Sequence, residues 1–404
     1  MNQPPPSIPP TPAKRFPILW VLFFFQYAAI GIYFTFLNIY YKETGLTSTQ
    51  IGLISMAASV VGMGGSFLWG YASDRTGRPN RLIAFGALGG LLVAQCNPLV
   101  RTLNLANPFW FYVLIASAAT LMTSAPGTLL DSTSIAMLGD QSKDYGRYRL
   151  AGSVGYILTT ITAGYVLDRA GLFWIFPGYA LMMLILGLSA LRLPRRTVRL
   201  ASAGWAKIGE MLRRPALLLL AVTVFLLWIA YNSSIMFFGV ALKSLGANNA
   251  LVSYGYVIGA VVEIPFMALS GRLIQRFGPV RLLWFAILLQ VIRFFLLSRM
   301  TDPAWAVAIN LLNGPGFVLF YNSVLNYISR LAPPSLLATA QGFFASIASL
   351  AGILSSLISG LLLDGFGASG LFLVLSGICL AALLVFGLGT RLRPAPESAA
   401  EAGA

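Results

Sequence analysis

Three ionisable side chains, Asp131, Glu263 and Arg293, lie inside stretches that are otherwise almost wholly apolar, and a fourth, Arg149, stands at the edge of another. A charge held at the centre of a bilayer costs from about 3 to more than 10 kcal/mol, so such residues mark ion paths, proton relays or ligand contacts unless they serve only one another. Glu263 lies eight residues before Gly271, about 12 Å into a helix from that end. Arg293 lies twelve residues after Arg281, about 18 Å in from the same side. The two levels differ by about 6 Å at 1.5 Å per residue, which side chains can span. A carboxylate that takes up a proton and releases a cationic partner is what proton coupling requires, and a pair that merely stitches two helices together is the alternative. Asp131 and Arg149 pose the same choice across a helical hairpin, as coupling site, closure element or structural pair. Pro265, two residues after Glu263, predicts a local distortion that frees backbone polar groups.

Uncharged polar side chains in the same apolar stretches extend the candidate set to Gln26, Tyr27, Asn38, Tyr231, Asn232, Asn310, Asn313, Tyr321 and Asn322. Each either faces a solute-filled cavity or bonds across to a neighbouring helix, because buried amides and phenols need partners. The chain has no histidine, and its two cysteines, Cys96 and Cys379, sit in different halves. That removes the commonest metal ligand and general base and leaves no disulfide framework or metal spacing. No metal, cofactor or catalytic residue is expected.

The elements that must position these residues are membrane helices. Of 404 residues 57% are hydrophobic and 10% charged, whereas a soluble domain carries about 25% charged residues. Twelve apolar runs lie near 17–41, 49–71, 82–100, 108–138, 148–167, 172–191, 215–241, 250–271, 281–299, 303–331, 337–362 and 369–390. Each is about long enough to cross some 30 Å of hydrocarbon as a helix, and none shows the dyad alternation of a spanning strand. The first run is too long, and lacks the small-residue cleavage site, to be a removable signal. Residues 1–16 and 391–404 read as disordered ends.

The formal charge of +15 is distributed by side. With both termini cytoplasmic, 21 of the 27 lysines and arginines fall on the cytoplasmic side and 5 on the other, with Arg293 inside a helix. The positive-inside rule accounts for this excess, so it gives no reason to expect nucleic-acid binding.

The chain also repeats itself. Gly70, Arg75 and Gly77 of "GYASDRTGRPNR" recur as Gly271, Arg276 and Gly278, each 201 residues later, as do Lys42 and Gly45 as Lys243 and Gly246. Further on, "GYVLDRAG" (164–171) matches "GLLLDGFG" (360–367) at an offset of 196. Two pseudo-symmetric six-helix bundles follow, 17–193 and 215–390, joined by a basic cytoplasmic linker, 194–214. An even number of helices per half makes the repeats parallel, an arrangement that places a substrate near the midplane between halves that rock about it.

These residues resemble a known family. Gly70, Asp74, Arg75, Gly77 and Arg78 match the signature of the loop between helices 2 and 3 in the major facilitator superfamily, and the resemblance extends over about residues 17–390. It implies an all-α integral membrane fold of twelve helices and a cytoplasmic gate motif at those five positions, a latch that holds that side closed. A solvated basic turn that only sets topology is the alternative. The stretch from Tyr145 to Gly155 resembles the start of the fifth helix in lactose-permease-like sugar/proton symporters, whose second arginine contacts substrate; here that position is Arg149. The spacing from Asp131 to Arg149, "VVEIPF" with Glu263 and "VIRFF" with Arg293 are more similar to the phenylpropionate-permease-like branch and its nucleoside-carrying relatives. Where the tenth helix of the sugar permeases offers a histidine and then a glutamate, this chain has Asn313 and Gly316, so coupling would fall on Glu263 or Asp131, with Arg293 as partner.

The expectation is therefore a secondary active transporter, not an enzyme, in the cell membrane: a monomer moving a small organic solute by alternating access, with proton symport. Substrate contact is expected of Arg149, Gln26, Asn38, Asn232, Asn313 and Tyr321. Proton-coupled efflux is the rival, set back by the absence of a Gly-Pro pair in the fifth run, "GSVGYILTTITAGYVLD". A non-transporting membrane sensor on the same fold is the other alternative.

Overall fold

The computed structural model describes residues 16–103, 107–139, 144–193, 215–331 and 337–392. The expected disordered ends, apart from a few residues, and the linker 194–214 lie outside the described residues.

The chain is built from long apolar helices. We number them α1 (Pro17–Glu43), α2 (Ser48–Thr76), α3 (Pro79–Thr102, interrupted at Gln95), α4 (Pro108–Leu138), α5 (Tyr145–Ala170), α6 (Leu172–Ala190), α7 (Pro215–Ser244), α8 (Asn249–Phe277) and α9 (Pro279–Ser298). The tenth, α10 (305–331), is broken: helix Trp305–Ile309, a 3-10 turn Asn310–Leu312, then helix Asn313–Leu331. The continuous segment Leu337–Leu392 turns at Gly367, whose φ of 67° is left-handed, giving α11 (337–366) and α12 (368–392). The expected twelve-helix architecture is thus present.

Local chemistry sets the boundaries. Proline occupies the first turn of α1, α3, α4 and α9, where its missing N–H is one that the helix could not use. Thr47 and Gln50 form a capping box that starts α2, and Asn248 caps α8 through the Leu251 amide. Pro126 and Pro265, each deep inside a helix, are accommodated without ending α4 or α8.

Within the first bundle α1 packs on α5 and α6, α2 on α4, and α3 on α4 and α6. In the second, α9 packs on α10 and on the α11–α12 segment, as does α7 on that segment. The bundles meet where α1 faces α7, α5 faces α8 and α2 faces α11. Below, the linker side is the side on which residues 192 and 215 lie, and the far side is the opposite one.

One difference from the sequence expectation concerns the gate motif. Gly70, Asp74 and Arg75 are not in a loop: α2 continues through Thr76, five residues past the apolar run, and closes on Gly77 with φ 63° and a bond from its amide to the Ser73 carbonyl. Gly70 is buried, while Asp74, Arg75 and Arg78 are exposed, and Asp74 is in no ion pair among the described residues.

Candidate functional site

A cavity of about 410 Å3 lies between the bundles, walled by α1 and α5 on one side and α7, α8, α9 and α10 on the other. Seven sequence candidates converge on it: Arg149, Glu263, Arg293, Asn313, Tyr27, Tyr231 and Asn310.

Arg293 is the most buried of the charges, at 3% exposure. Its fork is held wholly by neutral acceptors: Nε donates to Asn310 Oδ1 (2.9 Å), Nη1 to Gln290 Oε1 (3.1 Å) and Nη2 to Ser234 Oγ (3.0 Å). Asn310 in turn donates to the Gly255 carbonyl at 2.8 Å, so α7, α8, α9 and α10 are tied through one guanidinium. The 3-10 turn of α10 is what presents Asn310 to it. Glu263 lines the same cavity, yet among the described residues no carboxylate forms an ion pair with Arg293. The expected Glu263–Arg293 ion pair is therefore not formed: the two side chains share a cavity, and the guanidinium donates to three neutral acceptors.

Glu263 is set by a close helix crossing. A Cβ built on Gly314 would stand 2.8 Å from the Glu263 amide nitrogen and 2.9 Å from the Val262 carbonyl carbon. Only glycine lets α10 approach α8 this closely. Gly314→Val is expected to push the two helices apart, destabilising the protein by about 1–3 kcal/mol as overpacked cores do, and to weaken solute binding at least tenfold in a thermal-shift titration.

On the facing wall Arg149 lies over the Tyr27 ring, 3.7 Å from its centroid, and donates to the Tyr27 hydroxyl. Phe23 adds a second ring at 6.0 Å. Asp131 does not line the cavity; its carboxylate accepts from Tyr145 Oη at 2.8 Å, on the turn that leads into α5. The expected Asp131–Arg149 pair is thus not a direct contact: tyrosines partner both groups, and Tyr145 and Tyr27 stand where the two charges would have met.

Five other sequence candidates sit elsewhere, among them Asn322, which donates to Ser270 Oγ (3.0 Å). Asn38 donates to the Met236 carbonyl (2.9 Å) and borders a second, smaller cavity of about 160 Å3. Asn232 bonds back to Trp228 of its own helix. Gln26 is buried away from both cavities, and Tyr321 is exposed and stacked on Phe317. Sequence reasoning missed Thr35, Ser153, Tyr156, Ser234, Phe238 and Tyr256 as cavity residues. Tyr256 is notable: its hydroxyl donates to the Ile235 carbonyl (2.8 Å) and accepts from the Gly239 amide (3.1 Å). Those two groups would bond each other in an undisturbed helix, and a side chain inserted there bends α7.

Among the described residues the cavity is closed on the far side. Phe34 and Ile235, related by the 201-residue repeat, border both cavities and separate them. Beyond them, hydrogen bonds join the bundles on the far side, as between Asp364 and Ser48 or Asp168 and Asn249. On the linker side Phe67, Leu68 and Tyr71 of α2 and Met267 of α8 are exposed.

Two six-helix membrane bundles around a central, largely apolar cavity with a few polar groups are the architecture of a secondary transporter. The MFS_1 like family model matches residues 17–374. The chain is 30% identical over 393 residues to a maltose permease of Geobacillus stearothermophilus, covering 95% of this chain and 96% of the permease. It is 25% identical to a probable 3-phenylpropionic acid transporter of Escherichia coli, covering 90% and 94%. Among solved structures it resembles the nucleoside transporter NupG (TM-score 0.77, 19% identity, 93% and 99% covered) and a D-xylose-proton symporter (TM-score 0.71, 15% identity, 91% and 95% covered). The protein belongs to the MFS_1 like family of major facilitator superfamily transporters, and is not an enzyme.

Proposed function

We propose that this protein is a proton symporter of the cell membrane that imports a small, ring-bearing hydroxylated solute by alternating access, acting as a monomer with the linker side cytoplasmic. The observation that carries this is the cavity wall itself, on which Glu263 faces the solute space with no ion-pair partner among the described residues. A carboxylate so placed can exchange a proton with water on whichever side the cavity opens.

The lining supports the solute class. Tyr27, Tyr156, Tyr231, Phe238, Tyr256 and Phe317 offer ring faces, and Ser153, Ser234, Asn310 and Asn313 offer hydroxyls and amides. Apolar faces with a few placed polar groups are how pockets hold small molecules, and sites of about 300–1,000 Å3 suit drug-sized ligands. The full-length similarity to a maltose permease favours a disaccharide. A second reading, an aromatic or aliphatic carboxylate, is favoured by the two arginines on one cavity, since guanidinium binds carboxylate bidentately.

Thermal stabilisation of the purified protein by a panel of disaccharides, nucleosides and aryl-carboxylates separates these readings. Stabilisation by a disaccharide that is lost in Arg149→Lys supports the first, because lysine cannot stack and fork as arginine does; at least a tenfold rise in Kd is expected. Stabilisation by aryl-carboxylates alone would replace it with the second. Neither class stabilising the folded protein would defeat both.

A further inference from the structure

The far-side closure is built twice, by the same parts. Asp364, at the end of α11, accepts from the Ser48 amide (2.9 Å, Oδ1) and the Thr49 amide (2.6 Å, Oδ2). Asp168, at the end of α5, accepts from the Asn249 amide (2.7 Å, Oδ1) and the Ala250 amide (3.0 Å, Oδ2). Each carboxylate thus spans the first two amides of a helix in the opposite bundle. The parts are repeat-related: Asp168 and Asp364 differ by 196 residues, and Ser48 and Asn249 by 201.

The geometry is complementary down to the cap. The first four N–H groups of a helix have no partner within it. The helices' own caps, Thr47 and Asn248, take the third amide at Gln50 and Leu251. That leaves the first and second amides for the facing aspartate, where the positive end of the helix also favours an anion. Small residues bring the chains close: a Cβ on Gly164 would meet Ala250 Cα at 3.0 Å, and one on Gly360 would meet Thr49 Cα at 3.0 Å. The one asymmetry is Lys42, whose Nζ stands 3.5 Å from Asp364 Oδ1 and 3.0 Å from Ser48 Oγ.

The four aspartate–amide bonds all cross between bundles, so none of them survives a movement that parts the far side. We propose that Asp168 and Asp364 are twin clasps that hold the far side closed, and that their joint release is the step that opens the cavity outward. This rests on the alternating access and orientation proposed above.

The test uses a cysteine at Ile235, which faces the sealed cavity. In intact cells, with Cys96→Ala removing the far-side thiol, an impermeant maleimide from outside is expected to label Ile235→Cys slowly. Adding Asp168→Asn and Asp364→Asn together is expected to raise that rate at least tenfold, with each single change giving part of the rise. A second pair, Ser48→Pro with Asn249→Pro, removes one donor from each clasp and leaves the aspartates intact. Proline fits both first-turn positions, and the preceding Thr47 (ψ 156°) and Asn248 (ψ 171°) already hold the extended backbone it demands. This pair is expected to raise labelling too. Unchanged labelling in both pairs, in protein that purifies folded, would reduce the aspartates to local helix caps and overturn the proposal. If the unaltered reporter labels faster with solute while neither pair alters the rate, alternation stands and the clasps alone fall.

Discussion

Glu263→Gln is expected to reduce uptake driven by an imposed proton gradient to background, at least 100-fold, while solute counterflow without a gradient stays within about threefold of the unaltered protein. The glutamine keeps the size and hydrogen-bonding reach of the protonated acid but cannot release a proton. Loading and reorientation therefore continue, and coupling does not. Gradient-driven uptake by the unaltered protein is expected to rise as the outside is made more acidic than the inside, and to become insensitive to that difference in the variant. Counterflow lost together with driven uptake would instead make Glu263 a binding residue. Driven uptake that persists would move coupling to Asp131, the remaining intramembrane carboxylate of the sequence reading, which the structure places behind Tyr145.

Arg293→Met is expected to produce the largest loss of stability. The guanidinium donates to Asn310, Gln290 and Ser234, all buried. Its removal leaves three acceptors unpaired, at about 1–3 kcal/mol each, so roughly 3 kcal/mol or more is expected before any effect on the solute. Methionine fills part of the volume and answers none of the acceptors. Arg293→Lys keeps the charge but not the planar fork and is expected to fall between the two. Thermal unfolding in detergent, followed by tryptophan fluorescence, orders the three proteins. A methionine variant as stable as the parent would show that the fork does not tie α7, α9 and α10 together.

Much of this was legible in the residues. Runs of twenty apolar positions have one structural outcome in a bilayer, and the 201- and 196-residue offsets exposed two bundles without any coordinates. Intramembrane charge was nearly as direct a signal: Glu263, Arg293 and, at the membrane edge, Arg149 face the cavity, while Asp131 does not. The uncharged polar candidates were a weaker one, since Tyr27, Tyr231, Asn310 and Asn313 line it while Gln26, Asn38, Asn232, Tyr321 and Asn322 do not. A membrane helix is apolar on its lipid face as well as toward its neighbours, so periodicity does not reveal which way an amide points. The same ambiguity hid Tyr156, Phe238 and Tyr256 among aromatics of every other role. The partners of Arg293 were hidden for another reason: Gln290 is one turn away on α9, but Ser234 and Asn310 reach it only through packing and the 3-10 break in α10. Asp168 and Asp364 stood in the repeated motif, but nothing local showed that their partners lay across the bundle interface.

Placing Asp131 and Arg149 in tyrosine contacts also separates two roles that their spacing had merged. Arg149, lying over Tyr27, belongs to the cavity wall. Asp131, bonded to Tyr145, belongs to the α4–α5 hairpin on the linker side.

The most direct test of the proposed function is the current evoked by solute in liposomes containing the purified protein, measured on a solid-supported membrane at two pH values with Glu263→Gln alongside. A solute-specific current, larger under an inward proton gradient and absent in Glu263→Gln, is the expected result for a disaccharide. A current that is unchanged in Glu263→Gln, or solute accumulation that ignores the proton gradient, would contradict proton symport through this cavity.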